Sequence, residues 1–201
     1  VLLNAIDCYG VPKTLDKING IFAFSAYDKK SKKTYLVRDR IGIKPLHLHI
    51  GSDKNIYFAS TPAAIASSLN KTWSLNYQSV LSFLHLGASN TLSTFFNSIE
   101  KVRPAELVII DDRLQIKRRY YWAPKFRPRN LKNEVEKIIE LEKEAHVNSA
   151  VFLSGGVDSS VMAYLLKDIE GFHLSSPEEK YAKYVANFLG IKLNVKEYTE
   201  S

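Results

Sequence analysis

The stretch of sequence that decides the fold is Ala-Val-Phe-Leu-Ser-Gly-Gly-Val-Asp-Ser-Ser, residues 150–160. Its apolar residues 151–153 predict a buried parallel strand, and residues 158–167 predict a helix. Between strand and helix, Gly155 and Gly156 can adopt positive φ and let an anion approach the backbone. The N–H groups that begin the helix would point at this anion, because they form the positive end of the helix dipole. The stretch therefore predicts a phosphate-binding loop, to which three hydroxyls add donors: Ser154, Ser159 and Ser160.

Asp158 lies inside this predicted phosphate site, where a carboxylate would repel phosphate unless a cation lay between them. The sequence therefore predicts Mg²⁺ at Asp158. A simpler interpretation is a strand, turn and helix corner in which Asp158 and Ser159 cap the helix. The complete Ser-Gly-Gly-Val-Asp-Ser-Ser string after a buried strand favours nucleotide binding instead. No Gly-Lys-Ser follows the glycines, which excludes the P-loop kinases and GTPases.

The composition is that of a globular protein, with 201 residues, 45% of them hydrophobic and 24% charged, and a net charge of +7. The basic residues are scattered and lack interleaved aromatic residues, which favours a solvated surface over nucleic-acid binding. No apolar run approaches the roughly 18 residues of a membrane span, and no signal peptide is indicated. The single cysteine, Cys8, fits a reducing compartment, so we expect a cytoplasmic protein with no membrane partner.

Two blocks of different periodicity flank a basic linker with two prolines at residues 122–129. Residues 1–121 alternate short apolar runs with turns, which predicts antiparallel sheets with packed helices, an α+β class. In residues 130–201 a helical run precedes alternating strands and helices. This pattern predicts an α/β domain with a doubly wound parallel sheet and the glycine-rich loop at the carboxyl end of a strand.

Three segments of the first block carry a family resemblance: residues 19–24 (Asn-Gly-Ile-Phe-Ala-Phe), 38–46 (Arg-Asp-Arg-Ile-Gly-Ile-Lys-Pro-Leu) and 57–60 (Tyr-Phe-Ala-Ser). In this order, followed by a linker and the glycine-rich loop, they resemble the glutamine-dependent asparagine synthetases. Residues 176–180 and 185–190 resemble the family's segment after the loop. The loop itself is similar to the pyrophosphate loop, Ser-Gly-Gly-x-Asp-Ser, of enzymes that split ATP between its α- and β-phosphates.

The resemblance implies an enzyme with two sites. Its first domain would be a sandwich of two antiparallel sheets, of the N-terminal nucleophile hydrolase type, that hydrolyses glutamine. Its second would be an adenylating α/β domain, where ATP activates the side-chain carboxylate of aspartate and ammonia displaces AMP to give asparagine. ATP, aspartate and glutamine are then the expected small-molecule partners, with Mg²⁺ beside ATP and a homodimer as a candidate assembly. Both domains would be incomplete in this chain.

The resemblance also assigns ATP-binding residues. The positions that match the pyrophosphate loop are Ser154, Gly155, Gly156, Asp158, Ser159 and Ser160. Asp158 is the implied Mg²⁺ contact, and Leu153 matches the residue whose backbone meets the adenosine. Glu170 precedes a Gly-Phe pair and matches a second adenine contact, at a position where the family usually has an apolar residue.

The catalytic residues of the family have no counterpart among the matched segments. Its glutaminase nucleophile, a cysteine at the mature N-terminus, would lie upstream of Val1. Cys8 does not match it and is expected to be a packed or surface thiol. The second catalytic segment of the family, Ser-Gly-Glu-Gly-Ser-Asp-Glu, would lie beyond Ser201. We therefore expect no complete catalytic site within these residues.

Two other classes of function stay open beside an asparagine synthetase. Relatives of the family use the same adenylating chemistry to close a ring or to amidate another carboxylate, and the pyrophosphate loop alone does not separate them. A non-catalytic ATP-binding module is the third class, because neither active site is complete between Val1 and Ser201.

Two polar groups of the first block receive structural interpretations. His47 and His49 alternate on a predicted strand and could suggest a metal pair, but no third ligand has a suitable spacing, so we interpret them as strand-surface histidines. The Arg-Asp-Arg cluster at residues 38–40 is interpreted as an ion-pair network that positions the loop before Pro45.

Overall fold

The chain forms two compact units, Val1–Lys125 and Phe126–Ser201. The computed structural model describes residues 1–88, 93–125, 131–142, 149–166 and 169–197. Residues 126–129 of the predicted linker and the predicted helix end at Lys167 lie outside these ranges. Within them, no helix combines the length and the apolar character that crossing a membrane requires.

The first unit contains two antiparallel sheets, as its sequence pattern predicts. Its helices are α1 (Leu2–Lys17), α2 (Pro62–Ser68) and α3 (Tyr77–Leu86). Its strands are β1 (Ala23–Asp28), β2 (Lys33–Arg38), β3 (His47–Ile50), β4 (Ile56–Ala59), β5 (Glu100–Lys101), β6 (Glu106–Ile110) and β7 (Ile116–Tyr120). In the described residues, one sheet has the order β1-β2-β6-β7 and the other β4-β3-β5, with every neighbouring pair antiparallel.

The alternation of side chains along the strands builds two layers of core. Leu36 and Val108 of the larger sheet pack against Leu48 of the smaller one, so the two sheets lie face to face. The residues adjacent to these two in the same strands, Val37 and Leu107, point to the opposite face of the larger sheet and pack against α1. The first unit is therefore a helix-covered sandwich. Cys8 lies exposed on α1 as a free thiol, which is the surface alternative of the two positions expected for it.

The interpretation of His47 and His49 as surface residues is wrong, since their exposed fractions are only 6% and 3%. Leu48 between them faces the sandwich core, so both histidines point to the opposite side of β3, where α2 packs. His49 is held there by the Ser98 carbonyl oxygen, 2.6 Å from its Nδ1, and by Lys71 Nζ, 3.0 Å from its Nε2. Burial lowers the pKa of His47, which favours its neutral ring.

The cluster at residues 38–40 works through backbone groups. The Asp39 carboxylate is buried and accepts hydrogen bonds from the four successive N–H groups of residues 41–44, at 2.7 to 3.2 Å. Arg38 donates at 2.7 to 2.8 Å to three carbonyl oxygens, those of Gly42, Lys44 and Val102. These contacts position the loop before Pro45, as expected, but with hydrogen bonds to the main chain in place of the predicted ion pairs.

The second unit contains the predicted parallel sheet. Its elements are α4 (Leu131–Glu142), β8 (Ala150–Phe152), α5 (Val157–Leu166), β9 (Glu170–Leu174), α6 (Glu179–Leu189) and β10 (Leu193–Lys196). In the described residues the strand order is β8-β9-β10, and both pairs are parallel. The helices α5 and α6 are the crossover connections between these strands.

The double winding predicted for this sheet is not seen in the described residues. Because the strand order runs in one direction, right-handed crossovers place α5 and α6 on the same face, where the two helices touch. Leu153 packs there against Ala182 and Ala186. Phe152, on the opposite face, is 81% exposed. The described part is therefore a parallel sheet with α5 and α6 on one side.

Candidate functional site

The glycine-rich loop connects the end of β8 to the start of α5, where the sequence predicts it. Leu153 continues the strand, because its N–H donates to the Phe172 carbonyl oxygen at 2.8 Å. The chain then turns through Gly155, which has φ 81°, into α5 at Val157. Gly156 does not adopt positive φ, so only one of the two glycines is used for its left-handed conformation. The turn places the loop at the carboxyl edge of the sheet.

Gly155 is required for a second reason, which is its close approach to α6. A Cβ atom at this position would lie 2.5 Å from the Tyr181 carbonyl carbon and 2.7 Å from the Ala182 nitrogen. Real Cβ atoms essentially never come so close to backbone atoms. The loop therefore packs directly on the first turn of α6, with no side chain between the two backbones.

The serine hydroxyls of the loop bind within the loop itself. Ser154 Oγ lies 3.0 Å from Ser159 Oγ and accepts the Gly156 N–H at 3.2 Å. Ser159 Oγ and Ser160 Oγ donate to the Gly156 carbonyl oxygen, at 3.2 and 2.7 Å. All of these bonds are exposed, and most lie at or beyond the upper end of the usual length range for their type. The arrangement holds the hydroxyls together at the surface, where a phosphate oxygen can replace the weak internal bonds.

Asp158 is exposed in the first turn of α5, where a negative charge is favoured by the helix dipole. Among the described residues, none forms a hydrogen bond or an ion pair with its carboxylate. In the same part of the chain, no three His, Cys, Asp or Glu side chains come together as a metal-binding group. One free carboxylate suits Mg²⁺, which usually takes one or two protein carboxylates and completes its shell with phosphate oxygens and water. The loop therefore fits a cation that arrives with a nucleotide.

Glu170 is not brought to the loop. It begins β9 opposite Ala150, three positions before Leu153, which is about 10 Å along the strand direction. Its carboxylate accepts from Lys192 Nζ and Asn194 Nδ2, both at 2.9 Å, and these hydrogen bonds lower its pKa. The Glu170 side chain is thus engaged at the start of the sheet, and its assignment as an adenine contact stays a prediction.

Leu153 lies directly before the loop. Its side chain is buried in the core under α5 and α6, and both of its backbone polar groups have partners. The N–H belongs to the sheet ladder, and the carbonyl oxygen lies 2.7 Å from His173 Nδ1. The contact of Leu153 with adenosine stays a prediction.

His173 is the residue of this region that sequence reasoning missed. It lies in β9, is buried, and contacts the residue that precedes the loop. A signal was present, because the two-residue period of the strand puts His173 on the same face as Gly171, toward the helices. A histidine buried on such a face needs hydrogen-bond partners, and the loop is within its reach.

Comparison with known proteins finds two families that match successive parts of the chain. Residues 1–122 match the glutamine amidotransferase domain family, and residues 130–201 match the asparagine synthase family. This order defines the class, a glutamine amidotransferase domain followed by a synthetase domain. The chain belongs to the glutamine-dependent asparagine synthetase family.

Three curated relatives illustrate the range of the similarity. Asparagine synthetase (glutamine-hydrolysing) 3 of Bacillus subtilis is 29% identical, over 74% of this chain and 25% of its own length. The asparagine synthetase (glutamine-hydrolysing) of Rattus norvegicus is 24% identical, over 94% of this chain and 37% of its own length. Amidase chry2 of Gibberella zeae is 26% identical, over 77% of this chain and 24% of its own length. The chain thus spans 24% to 37% of the length of these relatives.

A solved structure also overlaps with the chain. It is the glutamine phosphoribosylpyrophosphate amidotransferase of Bacillus subtilis in complex with ADP and GMP. The overlap covers 96% of this chain and 38% of that one, with 16% identity and a TM-score of 0.38.

Proposed function

We propose that the second unit binds ATP through the loop at residues 154–160 and serves the adenylation of a carboxylate, which is the aspartate side chain in an asparagine synthetase. The observation that carries the proposal is the geometry of the loop. Gly155 turns the chain at the carboxyl edge of a parallel sheet, and the exposed start of α5 follows with a free acid, Asp158. Ligands of open α/β sheets bind at this edge.

The loop residues divide the work of holding a pyrophosphate. The N–H groups at the start of α5 and the hydroxyls of Ser154, Ser159 and Ser160 donate to phosphate oxygens. Gly156 presents its backbone without a side chain, so a phosphate can approach it closely. Asp158 would hold Mg²⁺, whose charge neutralises the pyrophosphate that leaves when the carboxylate is adenylated.

The first unit supports the other half of the proposed reaction. It matches a glutamine amidotransferase domain, and we assign residues 1–121 to a glutaminase-type domain, 122–129 to a linker and 130–201 to the start of the synthetase domain. Ammonia from glutamine would displace AMP from the aspartyl adenylate. A protein that contains this chain and both catalytic segments is expected to form asparagine, AMP and pyrophosphate from aspartate, glutamine and ATP. Release of ADP and phosphate in a product assay would rule out adenylation.

A second candidate keeps the adenylating step and changes the acceptor carboxylate. The similarity to amidase chry2 supports it, because that relative carries a different name from the asparagine synthetases at a comparable identity. Amidation or cyclisation of another carboxylate with release of AMP, and no reaction with aspartate, would favour this candidate. For the compartment we propose the cytoplasm, since the free and exposed thiol of Cys8 suits a reducing environment.

Replacing Asp158 by asparagine is expected to weaken binding of MgATP to the chain by about tenfold or more. The change keeps the shape of the side chain and removes the charge that attracts the cation, and a hydrogen-bonded charge is worth about 1.5–3 kcal/mol. Isothermal titration of the 201-residue chain with ATP in the presence and absence of Mg²⁺ measures the effect. In the absence of Mg²⁺, the difference between the two proteins should shrink.

The matched control for this variant is Glu134→Gln. Glu134 is also an acid in the first turn of a helix of the second unit, but it lies in α4, outside the glycine-rich loop, and forms an ion pair with Lys137 at 3.6 Å. Both substitutions remove a favourable charge at a helix N-terminus, and Glu134→Gln also removes an ion pair, so it should cost at least as much stability and leave the affinity for MgATP unchanged. Equal MgATP affinity for Asp158→Asn and Glu134→Gln would remove Asp158 from the site.

A further inference from the structure

His173 connects the glycine-rich loop to the helix on which the loop packs. Its Nδ1 lies 2.7 Å from the Leu153 carbonyl oxygen, and its Nε2 lies 3.2 Å from Ser176 Oγ. His173 is 8% exposed and its bond to Leu153 is buried, so water does not compete strongly for Nδ1. Leu153 is the last residue before the loop, and Ser176 precedes α6. The imidazole therefore spans the gap between the two elements.

The donors and acceptors of these groups form one consistent chain. A carbonyl oxygen only accepts hydrogen bonds. The proton of the ring therefore lies on His173 Nδ1, which donates a hydrogen bond to the Leu153 carbonyl oxygen. In the neutral ring, Nε2 then accepts from the Ser176 hydroxyl. The same hydroxyl oxygen accepts the Glu178 N–H at 3.3 Å, one of the groups that open α6. The Ser176 hydroxyl both donates and accepts, so the hydrogen-bonded groups connect the start of α6 to the residue that follows β8.

A separate contact ties the same two elements together on the other side of the turn. Gly155 lies against the backbone of Tyr181 and Ala182 in the first turn of α6, with no room for a Cβ atom. The start of α6 is therefore connected to residues 153–155 at two points. His173 links it to Leu153, and Gly155 packs directly on its backbone. The hydrogen bonds inside the loop are exposed and mostly long, so they fix its shape weakly.

We propose that His173 is a positioning residue of the nucleotide loop, which it holds against the first turn of α6 so that the loop N–H groups and hydroxyls stay directed at the pyrophosphate. The proposal rests on the proposed function of the loop for its effect on ATP, but the contact itself stands on the geometry alone. Donors that are held in place before the ligand arrives bind it more tightly, because less conformational entropy is lost on binding. A chain without this contact must order the loop on binding.

The test compares three variants of the 201-residue chain by titration with MgATP. His173→Leu removes both ring contacts and is expected to weaken binding about tenfold or more. His173→Asn places an amide N–H at the position of Nδ1, keeps the hydrogen bond to Leu153, and should recover the affinity to within about threefold. His85→Asn is the control, because His85 is exposed on α3 in the first unit. This variant should bind MgATP with the affinity of the unchanged chain.

A second measurement does not depend on nucleotide. Amide hydrogen exchange at residues 154–160 should be at least about tenfold faster in His173→Leu than in the unchanged chain, with His173→Asn close to the unchanged chain. Ser176→Ala keeps the hydrogen bond between His173 and Leu153 and replaces His173→Leu in the test if that variant does not fold. Its loop should exchange faster than in the unchanged chain but more slowly than expected for His173→Leu. A folded His173→Leu with unchanged loop exchange would overturn the proposal.

The two measurements keep the proposals apart. If the unchanged chain does not bind MgATP, the proposed function fails, and the exchange rates still decide whether His173 holds the loop. If the chain binds MgATP, and His173→Asn is as weak as His173→Leu although both fold, the hydrogen bond to Leu153 does not position the loop and the proposal is overturned.

Discussion

Replacing Gly155 by alanine is expected to abolish detectable MgATP binding and to lower the free energy of unfolding by about 2–5 kcal/mol. Two effects add. An L-residue at φ 81° is strained by about 1–2 kcal/mol, and the new Cβ would overlap the α6 backbone, which a packed interior resists at about 1–3 kcal/mol. Since the obstacle is backbone, no side-chain rotation relieves it, and either the loop or α6 must move.

The control is Gly190→Ala, which separates strain from overlap. Gly190 ends α6 with φ 67°, and a Cβ atom there would meet nothing within 4 Å. Its replacement should therefore show the conformational strain alone, about 1–2 kcal/mol, and leave MgATP affinity unchanged. Urea unfolding followed by circular dichroism measures both variants. Equal losses of stability for Gly155→Ala and Gly190→Ala would show that the loop does not pack on α6 as described.

Replacing Asp39 by alanine is expected to lower the free energy of unfolding by about 2–4 kcal/mol, the second largest effect. The buried carboxylate accepts from four main-chain donors of one loop, and its loss leaves these N–H groups without their acceptor. Hydrogen bonds to an ionised group are worth about 1.5–3 kcal/mol, and four that share one carboxylate do not add independently.

The control for this prediction is Asp111→Ala. Asp111 also accepts two main-chain N–H groups of a turn, those of Arg113 and Gln115, but at the surface. Its loss should change stability by at most about 1 kcal/mol. If Asp39→Ala were no more destabilising than Asp111→Ala in urea unfolding, the Asp39 network would not hold the loop.

The effect of Asp39 should also depend on pH. Burial opposes ionisation, but the main-chain hydrogen bonds outweigh it and lower the pKa of Asp39 in the folded chain. A carboxylate with a lowered pKa contributes stability that is complete above its ordinary pKa, about 4, and is lost as the pH falls toward the folded value. The difference in stability between the unchanged chain and Asp39→Asn should therefore be largest near neutral pH and shrink below about pH 4. A difference that grows on acidification would contradict this assignment.

The sequence was sufficient for features that depend on local patterns. The loop at residues 154–156, the parallel strands around it and the antiparallel sheets of the first unit all follow from apolar periodicity and turn residues. The resemblance to the asparagine synthetases likewise depended on short contiguous segments. Such features are encoded by neighbours along the chain, so they can be found without knowing what packs against them.

Features that depend on distant partners could not be obtained in this way. His47 and His49 are buried on the side of β3 where α2 packs, and Trp73 also contacts the ring of His49; nothing within the strand itself indicates these neighbours. The absence of room for a Cβ atom at Gly155 depends on the backbone of α6, which is distant in the sequence. Glu170 follows the family pattern by position, yet Lys192 and Asn194 hold its carboxylate at the other end of the strand.

The contact between Gly155 and α6 has a consequence for how this family can vary. The atoms that exclude a side chain at position 155 are main-chain atoms and a Cβ, which every residue but glycine supplies at position 181. The Tyr181 side chain itself is 55% exposed and free to change. Substitutions at 181 therefore cannot compensate for a change at 155, and the two positions should not covary among related sequences. A contact essential to the loop would leave its evolutionary trace in one partner only, as an unvarying glycine.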